Sequence, residues 1–225
     1  MTKNILRNVV IKGEKMQFFD ARNSNTALIV ESEINSGEYS ALIDGKINFQ
    51  PRDIFIDIGG NIGLVSILLA KKYPFLKIYA FEPVFENWKN FKRNMHLNGV
   101  SSSQIKLHNC AITCDERLVK MNVVPSNSGA STMINKIYQA GRQQTVKSVA
   151  LNWVFENYKI DKCKALKIDC EGAEFEILYN FKNFEKIEFI CGETHSFDDQ
   201  KNNRKSLLQF LETKFAKEKM EFSGY

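Results

Sequence analysis

Two pairs of polar residues stand near the end of the chain. Asp169 and Glu171 are separated by one residue, and so are Glu193 and His195. At the end of a strand, a spacing of two points both side chains the same way. If the two strands are neighbours, three carboxylates and an imidazole converge. An imidazole of ordinary pKa, ~6.5, is equipped to take a proton near neutral pH. In one scheme His195 is the general base and Glu193 or Asp169 orients it. In another, Asp169 and Glu193 hold a divalent cation such as Mg²⁺, whose Lewis acidity lowers a hydroxyl's pKa. The sequence has no dedicated metal motif, so the first scheme is preferred and no metal site is assigned. Lys167 precedes Asp169 on the same strand. Its cation, if buried, needs a carboxylate partner or neutralises an anionic acceptor. Glu174 falls on the first turn of the next helix, either as a surface acid matched to the helix dipole or as part of this group.

A second set lies upstream. DIGGNIG, Asp57 to Gly63, follows an apolar run and opens a helix. Gly59 and Gly60 let the backbone turn tightly and come close to a ligand, and Gly63 permits close packing. The nicotinamide fingerprint GxGxxG fails, because Asn61 and Leu64 stand where glycines are needed. No GK[ST] follows, so the phosphate loop fails too. Glu82, followed by Pro83, ends the next strand at about the offset where such folds place a ribose-binding acid. Asp57 supplies a carboxylate for a positively charged ligand group. Acid, glycine turn and ribose acid without a phosphate cradle fit S-adenosylmethionine, which has a ribose, an amino-acid tail and a sulfonium. Asn109, Cys110 and Ala111 end a third strand, where backbone contacts to the ligand are expected. Asn61 reads as a helix cap that also reaches the cofactor.

These residues need a scaffold that gathers strand ends. Apolar runs at Ile54 to Gly59, Lys77 to Glu82, Ile105 to Ile112, Ala165 to Asp169 and Lys186 to Glu193 read as strands. Helices are expected at Asn61 to Lys72, Val84 to Leu97, Leu151 to Tyr158, Gly172 to Tyr179 and Lys201 to Lys214. On the second of these, Phe85, Trp88, Phe91 and Met95 mark the buried side. Alternation of this kind predicts an open α/β sheet with helices on both faces, whose ligands sit beyond the carboxyl ends of the strands. Residues 1–52 read as an N-terminal β-rich cap, with strands at Val9 to Ile11, Met16 to Asp20 and Ala27 to Glu31 and a short helix at Glu38 to Ile43. Residues 53–225 then form the ligand-binding domain. The NSGAST loop, Asn127 to Thr132, either hydrogen-bonds a polyol or is a plain turn. After His195 there is room for one helix and one strand, Lys219 to Phe222. The C-terminal sheet edge is therefore expected to be truncated, or completed by another segment or a second subunit.

FIDIGGNIG, YAFEP, LKIDCEGAEFEIL and CGETH, in that order, resemble the FkbM family of S-adenosylmethionine-dependent methyltransferases. Gly60 departs mildly, since Ala is common there. The resemblance implies a class I, Rossmann-like methyltransferase fold and O-methylation of a sugar, glycan or small natural product. Two other functions account for part of the pattern: a nucleic-acid (RNA ribose) methyltransferase, and a cofactor-binding module without catalysis. The first lacks an appended RNA-binding module. The second does not explain carboxylates at two successive strand ends.

The bulk properties agree with one enzyme domain. The chain has 225 residues, 44% apolar and 25% charged, which excludes intrinsic disorder. Its longest apolar stretch, Ile62 to Ala70, is about half of the ~20 residues a spanning helix needs. No secretory pattern opens the sequence, and five cysteines without CxxC pairs suit reduced thiols, so a cytoplasmic location is expected. The net charge of +5 is diffuse and gathers between residues 53 and 160. It suits an anionic ligand more than a nucleic acid, which calls for a concentrated basic stripe.

Overall fold

The computed structural model describes residues 4–22, 24–124, 142–198 and 200–224. In chain order the elements are β1 (Asn4–Ile11), β2 (Glu14–Ala21), α1 (Thr26–Ser36), α2 (Ser40–Ile43), β3 (Ile54–Ile58), α3 (Leu64–Lys72), β4 (Lys77–Phe81), α4 (Phe85–Leu97) and β5 (Ile105–His108). There follow β6 (Ala111–Thr113), β7 (Leu118–Val123), β8 (Arg142–Ala150), α5 (Leu151–Asn157), β9 (Ala165–Ile168), α6 (Glu174–Asn180), β10 (Ile190–Thr194), α7 (Arg204–Leu211) and β11 (Met220–Gly224). The NSGAST loop lies outside the described residues.

Six strands form one parallel sheet in the order β11-β10-β9-β3-β4-β5. Its central strands are apolar on both faces, as a sheet covered on both sides requires. Phe55, Ile78 and Ala80 face one core with α1, α3 and α4. Ile56, Ile58, Tyr79 and Phe81 face the other with α5, α6 and α7. This is a Rossmann-like three-layer sandwich. The chain builds outward from β3 to β5 on one side and from β9 to β11 on the other. Strand order therefore reverses between β3 and β9, and a crevice opens beyond their carboxyl ends.

The structure corrects several expected elements. The stretch Ala27 to Glu31 is not a strand but the interior of α1. The run Ile105 to Ile112 breaks at Asn109 and Cys110; β6 leaves the main sheet and joins β7 and β8 in a three-stranded one. On α4, Phe85 is 46% exposed, while Asn87, Asn90 and Asn94 are buried with Phe91 and Met95. Two asparagines serve the hairpin β1–β2. Asn94 accepts from the Phe19 amide and donates to its carbonyl, and Asn98 does the same for Gln17. They satisfy the free edge of β2 as a neighbouring strand would. The hairpin's Val9, Ile11, Met16 and Phe18 join the core that contains α3.

At the other margin β11 pairs with β10 along its full length. Among the described residues no antiparallel strand follows it. The Glu221 carboxylate on β11 instead accepts from the Ser40 and Ala41 amides of α2.

Candidate functional site

Tight backbone at the switch point sets the site. Gly59, with φ +78, follows β3 directly beneath the loop after β9; a Cβ there would lie 1.7 Å from the Asp169 carbonyl oxygen. Only glycine lets these two segments touch. Gly59 and Gly60 both donate to the Phe81 carbonyl. Gly63, with φ +96, is the residue that caps α3, and the ring of Phe91 fills the place of its missing side chain. Asn61 is therefore not the cap, because Gly63 holds that position. It sits in the left-handed region, φ 50, and its amide donates to Glu82 Oε2 at 2.8 Å.

Glu82 is 4% exposed. Its Oε1 accepts from the Val84 amide at 2.8 Å and from Asn87 Nδ2 at 3.4 Å. Burial pushes its pKa up to about 7 against the pull of those donors. A carboxylate offers about four lone-pair sites, so a ribose hydroxyl still finds an acceptor. Asn109 donates to the carbonyls of Glu82 and Pro83 and fixes that turn.

Between β3 and β9 runs a buried ionic chain. Asp57 Oδ2 accepts from Ser66 Oγ at 2.6 Å, and its Oδ1 lies 3.3 Å from Lys167 Nζ. Lys167 also lies 3.5 Å from Asp169 Oδ2 and donates to the Gly59 carbonyl at 3.1 Å. Burial opposes its charge, but Asp57 and Asp169 outweigh that and hold the ammonium above its ordinary pKa. Tyr39, just before α2, donates its hydroxyl to Asp169 Oδ2 at 3.1 Å.

The loop after β9 carries the second acid group. Glu171 takes a left-handed φ of 54. Glu174 is fully buried and is no surface acid. Its Oε1 accepts from the Cys170 amide at 2.8 Å and lies 3.2 Å from His195 Nδ1; its Oε2 accepts from the Gly172 amide at 2.9 Å. His195 Nε2 lies 3.5 Å from Glu171 Oε2 and 3.7 Å from Glu193 Oε2. Burial works against a charged imidazole here, but Glu174, Glu171 and Asp169 prevail and raise its pKa to about 10. These carboxylates favour the imidazolium, whereas the sequence suggested a neutral base. Burial also lifts Glu171 to about 8 and Glu193 to about 7, with His195 pulling both down.

A cavity of about 920 Å³, counted with its open mouth, joins these groups. Gly59, Glu82, Ala111, Asp169, Glu171 and Glu193 line it. Pro83, Cys110 and Asn61 line it too, while Asn109, which is exposed, and His195 do not. A smaller adjoining cavity of about 380 Å³ is lined by Asp57, Gly60, Tyr39 and Lys167. Sequence reasoning missed the wall formed by Ile29, Val30 and Glu33 of α1. The signal was present: Ala27, Val30 and Ile34 recur at helical spacing and Gly37 follows.

A nucleoside with an amino-acid tail fits this pair of cavities. Asn61 Oδ1 is a buried acceptor with no partner at the junction, the kind of atom a ligand satisfies. A divalent cation fits less well. Asp169, Glu174 and His195 each offer a donor atom within 4.8 Å of the others. However, both Glu174 oxygens are engaged by amides and the imidazole, and Asp169 Oδ2 is shared by the Lys167 ammonium and the Tyr39 hydroxyl.

The family profile described as methyltransferase FkbM domain matches residues 57–222. Methyltransferase 1 of Beauveria bassiana is 28% identical over 183 residues, 73% of this chain and 72% of that protein. Methyltransferase sdnD of Sordaria araneosa is 28% identical over 58% of this chain and 61% of its own. Hexuronic acid methyltransferase AglP of Haloferax volcanii is 24% identical over 70% of this chain and 62% of its own. The chain thus spans less than two thirds of the length of the latter two.

Proposed function

The chain belongs to the FkbM methyltransferase family, and from that premise we propose that it moves a methyl group from S-adenosylmethionine to a hydroxyl of a sugar or small natural product. The observation that carries this reading is the double cavity at the β3–β9 reversal, with Glu82 at one side and Glu171 and Glu193 at another. S-adenosylmethionine supplies a methyl group on a sulfonium, already a strong electrophile. The protein's work is positioning and deprotonation.

Glu82 accepts from the ribose hydroxyls, and Asn61 Oδ1 gains its missing donor. Cys110 and Ala111 line the region of the adenine. Gly59 and Gly60 allow close backbone approach. The amino-acid tail lies in the smaller cavity, where Asp169 and Lys167 offer both signs of charge. Asp57 lines the same cavity and is paired with Lys167. The acidic lining suits a sulfonium. A sugar acceptor draws support from the relative named for hexuronic acid.

Two measurements test this. Calorimetry should detect binding of S-adenosylhomocysteine, and its absence would refute the cofactor. Labelled S-adenosylmethionine should then methylate at least one of a panel of hexoses, hexosamines, sugar nucleotides and small alcohols. Transfer to none of them, with the cofactor bound, would refute the acceptor class.

A further inference from the structure

Methylating a hydroxyl releases one proton, which must have a receiver in reach of the acceptor. His195 is badly placed for this, because it lines neither cavity and each of its ring nitrogens faces a carboxylate. Glu171 does line the larger cavity. Its left-handed backbone is one that a side-chain-bearing residue rarely adopts, and such strain concentrates at functional positions. The strain has a visible restraint. Glu174 accepts from the amide before Glu171, that of Cys170, and from the amide after it, that of Gly172. The same Glu174 holds His195, whose Nε2 lies against Glu171. Glu193 lines the cavity as well, but it stands farther from the imidazole and lacks such a clamp.

We propose that Glu171 is the general base, and that Glu174 and His195 are positioning residues that hold it toward the acceptor. This rests on the methyltransferase reading above. In the balanced step the acceptor oxygen gains the methyl group and gives its proton to the Glu171 carboxylate. The bond from carbon to sulfur breaks with its electron pair left on sulfur, and a neutral thioether departs. The groups facing Glu171 are Asp169, Glu174, Glu193 and His195, with Glu33 of α1 and Lys167 acting on its neighbours. Burial raises the Glu171 pKa to about 8, with His195 pulling it down and the neighbouring acids pushing it up, which suits a base that works near neutral pH.

The test combines spectroscopy with kinetics. The chain has three histidines, so ¹⁵N-histidine NMR of the protein loaded with S-adenosylhomocysteine can follow His195. It should stay doubly protonated through pH 8, and Glu174→Gln should bring its titration toward neutral pH. With the acceptor that the panel identifies, Glu171→Gln should lower kcat by about 10²–10⁴-fold while the Kd for S-adenosylhomocysteine stays within about threefold. Glu171→Gly relieves the left-handed strain. It should lose turnover equally, raise the melting temperature and recover activity with added formate. His195→Gln should keep measurable turnover with the acid limb of its pH profile moved upward, since Glu171 loses a cationic neighbour. Substantial turnover in either Glu171 variant without added formate overturns the proposal. So does a His195 titration that coincides with the kinetic limb. A wild-type protein that transfers no methyl group refutes the underlying reading instead, and the NMR arm separates the two.

Discussion

Glu82 carries more than one duty. It anchors the amides of Asn61 and Val84, which shape the turns after β3 and β4, and it faces the larger cavity. Glu82→Gln keeps the shape but turns one acceptor into a donor aimed at an amide. Loss of charge-assisted bonds to ribose should weaken cofactor binding by about 1.5–3 kcal/mol, or roughly 10–150-fold, in a calorimetric titration with S-adenosylhomocysteine. An unchanged Kd would remove the ribose assignment. The engagement of Glu174 and Asp169 leads to a second expectation. Methyl transfer should survive exhaustive treatment with EDTA, and loss of activity restored by Mg²⁺ would show that a cation displaces Lys167 or His195 from these carboxylates. Residue chemistry explains why the ordinary pKa does not carry over to His195. Its ordinary pKa assumes water around it, whereas three carboxylates from separate positions converge on the ring. For Glu174 the sequence leaves two readings open, and its burial decides between them. An acid on a first helical turn usually faces solvent, but here its partners come from the preceding loop and from His195 beyond β10.

At the scale of elements, α1 is the wall whose stability the ligand should alter. Its N-terminal end is held where the Asp20 carboxylate accepts from the Ala27 amide, and its C-terminal end closes on Gly37 in a left-handed cap. Ala27 and Ile34 are buried in the core, while Ile29 is exposed at the cavity. Cofactor burial against this face should slow hydrogen exchange of amides in α1 and leave β4, deep in the sheet, unchanged. Equal exchange in α1 with and without S-adenosylhomocysteine would mean that the helix does not contact the ligand. The same two-sided character hid α1 in the sequence. A helix apolar toward both core and cavity shows a continuous run, TALIV, instead of a stripe, and β-branched residues make that run resemble a strand. By contrast β3, β4, β9 and β10 were legible, because each is a short apolar run ending near glycine or an acid. On α4 the periodicity was present but its occupants were misread: Asn94 is buried there with partners on the edge of β2, Asn90 accepts from Asn4 of β1, and Asn87 donates to Glu82.

For the whole molecule, the net charge of +5 says little about the site. The larger cavity is lined by Glu33, Glu82, Asp169, Glu171 and Glu193 and by no lysine or arginine among the described residues. The protein is therefore basic overall with an acidic centre. Burial leads the upward shifts of Glu33, Glu82 and Glu193 to about 7 and of Glu171 to about 8. His195 is raised to about 10 by its acidic partners. Each of these groups binds its proton more tightly in the folded chain than in the unfolded one. Their stabilisation is complete below the unfolded pKa values, near 4.5 for the acids and 6.5 for His195. It is lost as pH rises through about 7–8 and then about 10. The melting temperature of the ligand-free protein should accordingly fall between pH 5.5 and 8.5 at constant ionic strength. Ionisation of the acids over the same interval favours a cation. S-adenosylmethionine should thus bind more tightly as pH rises, and S-adenosylhomocysteine, which has no sulfonium, should gain less. A melting temperature that rises over this range, or two ligands whose affinities follow pH identically, would show that these carboxyls are already ionised and that the cavity does not recognise the sulfonium by charge.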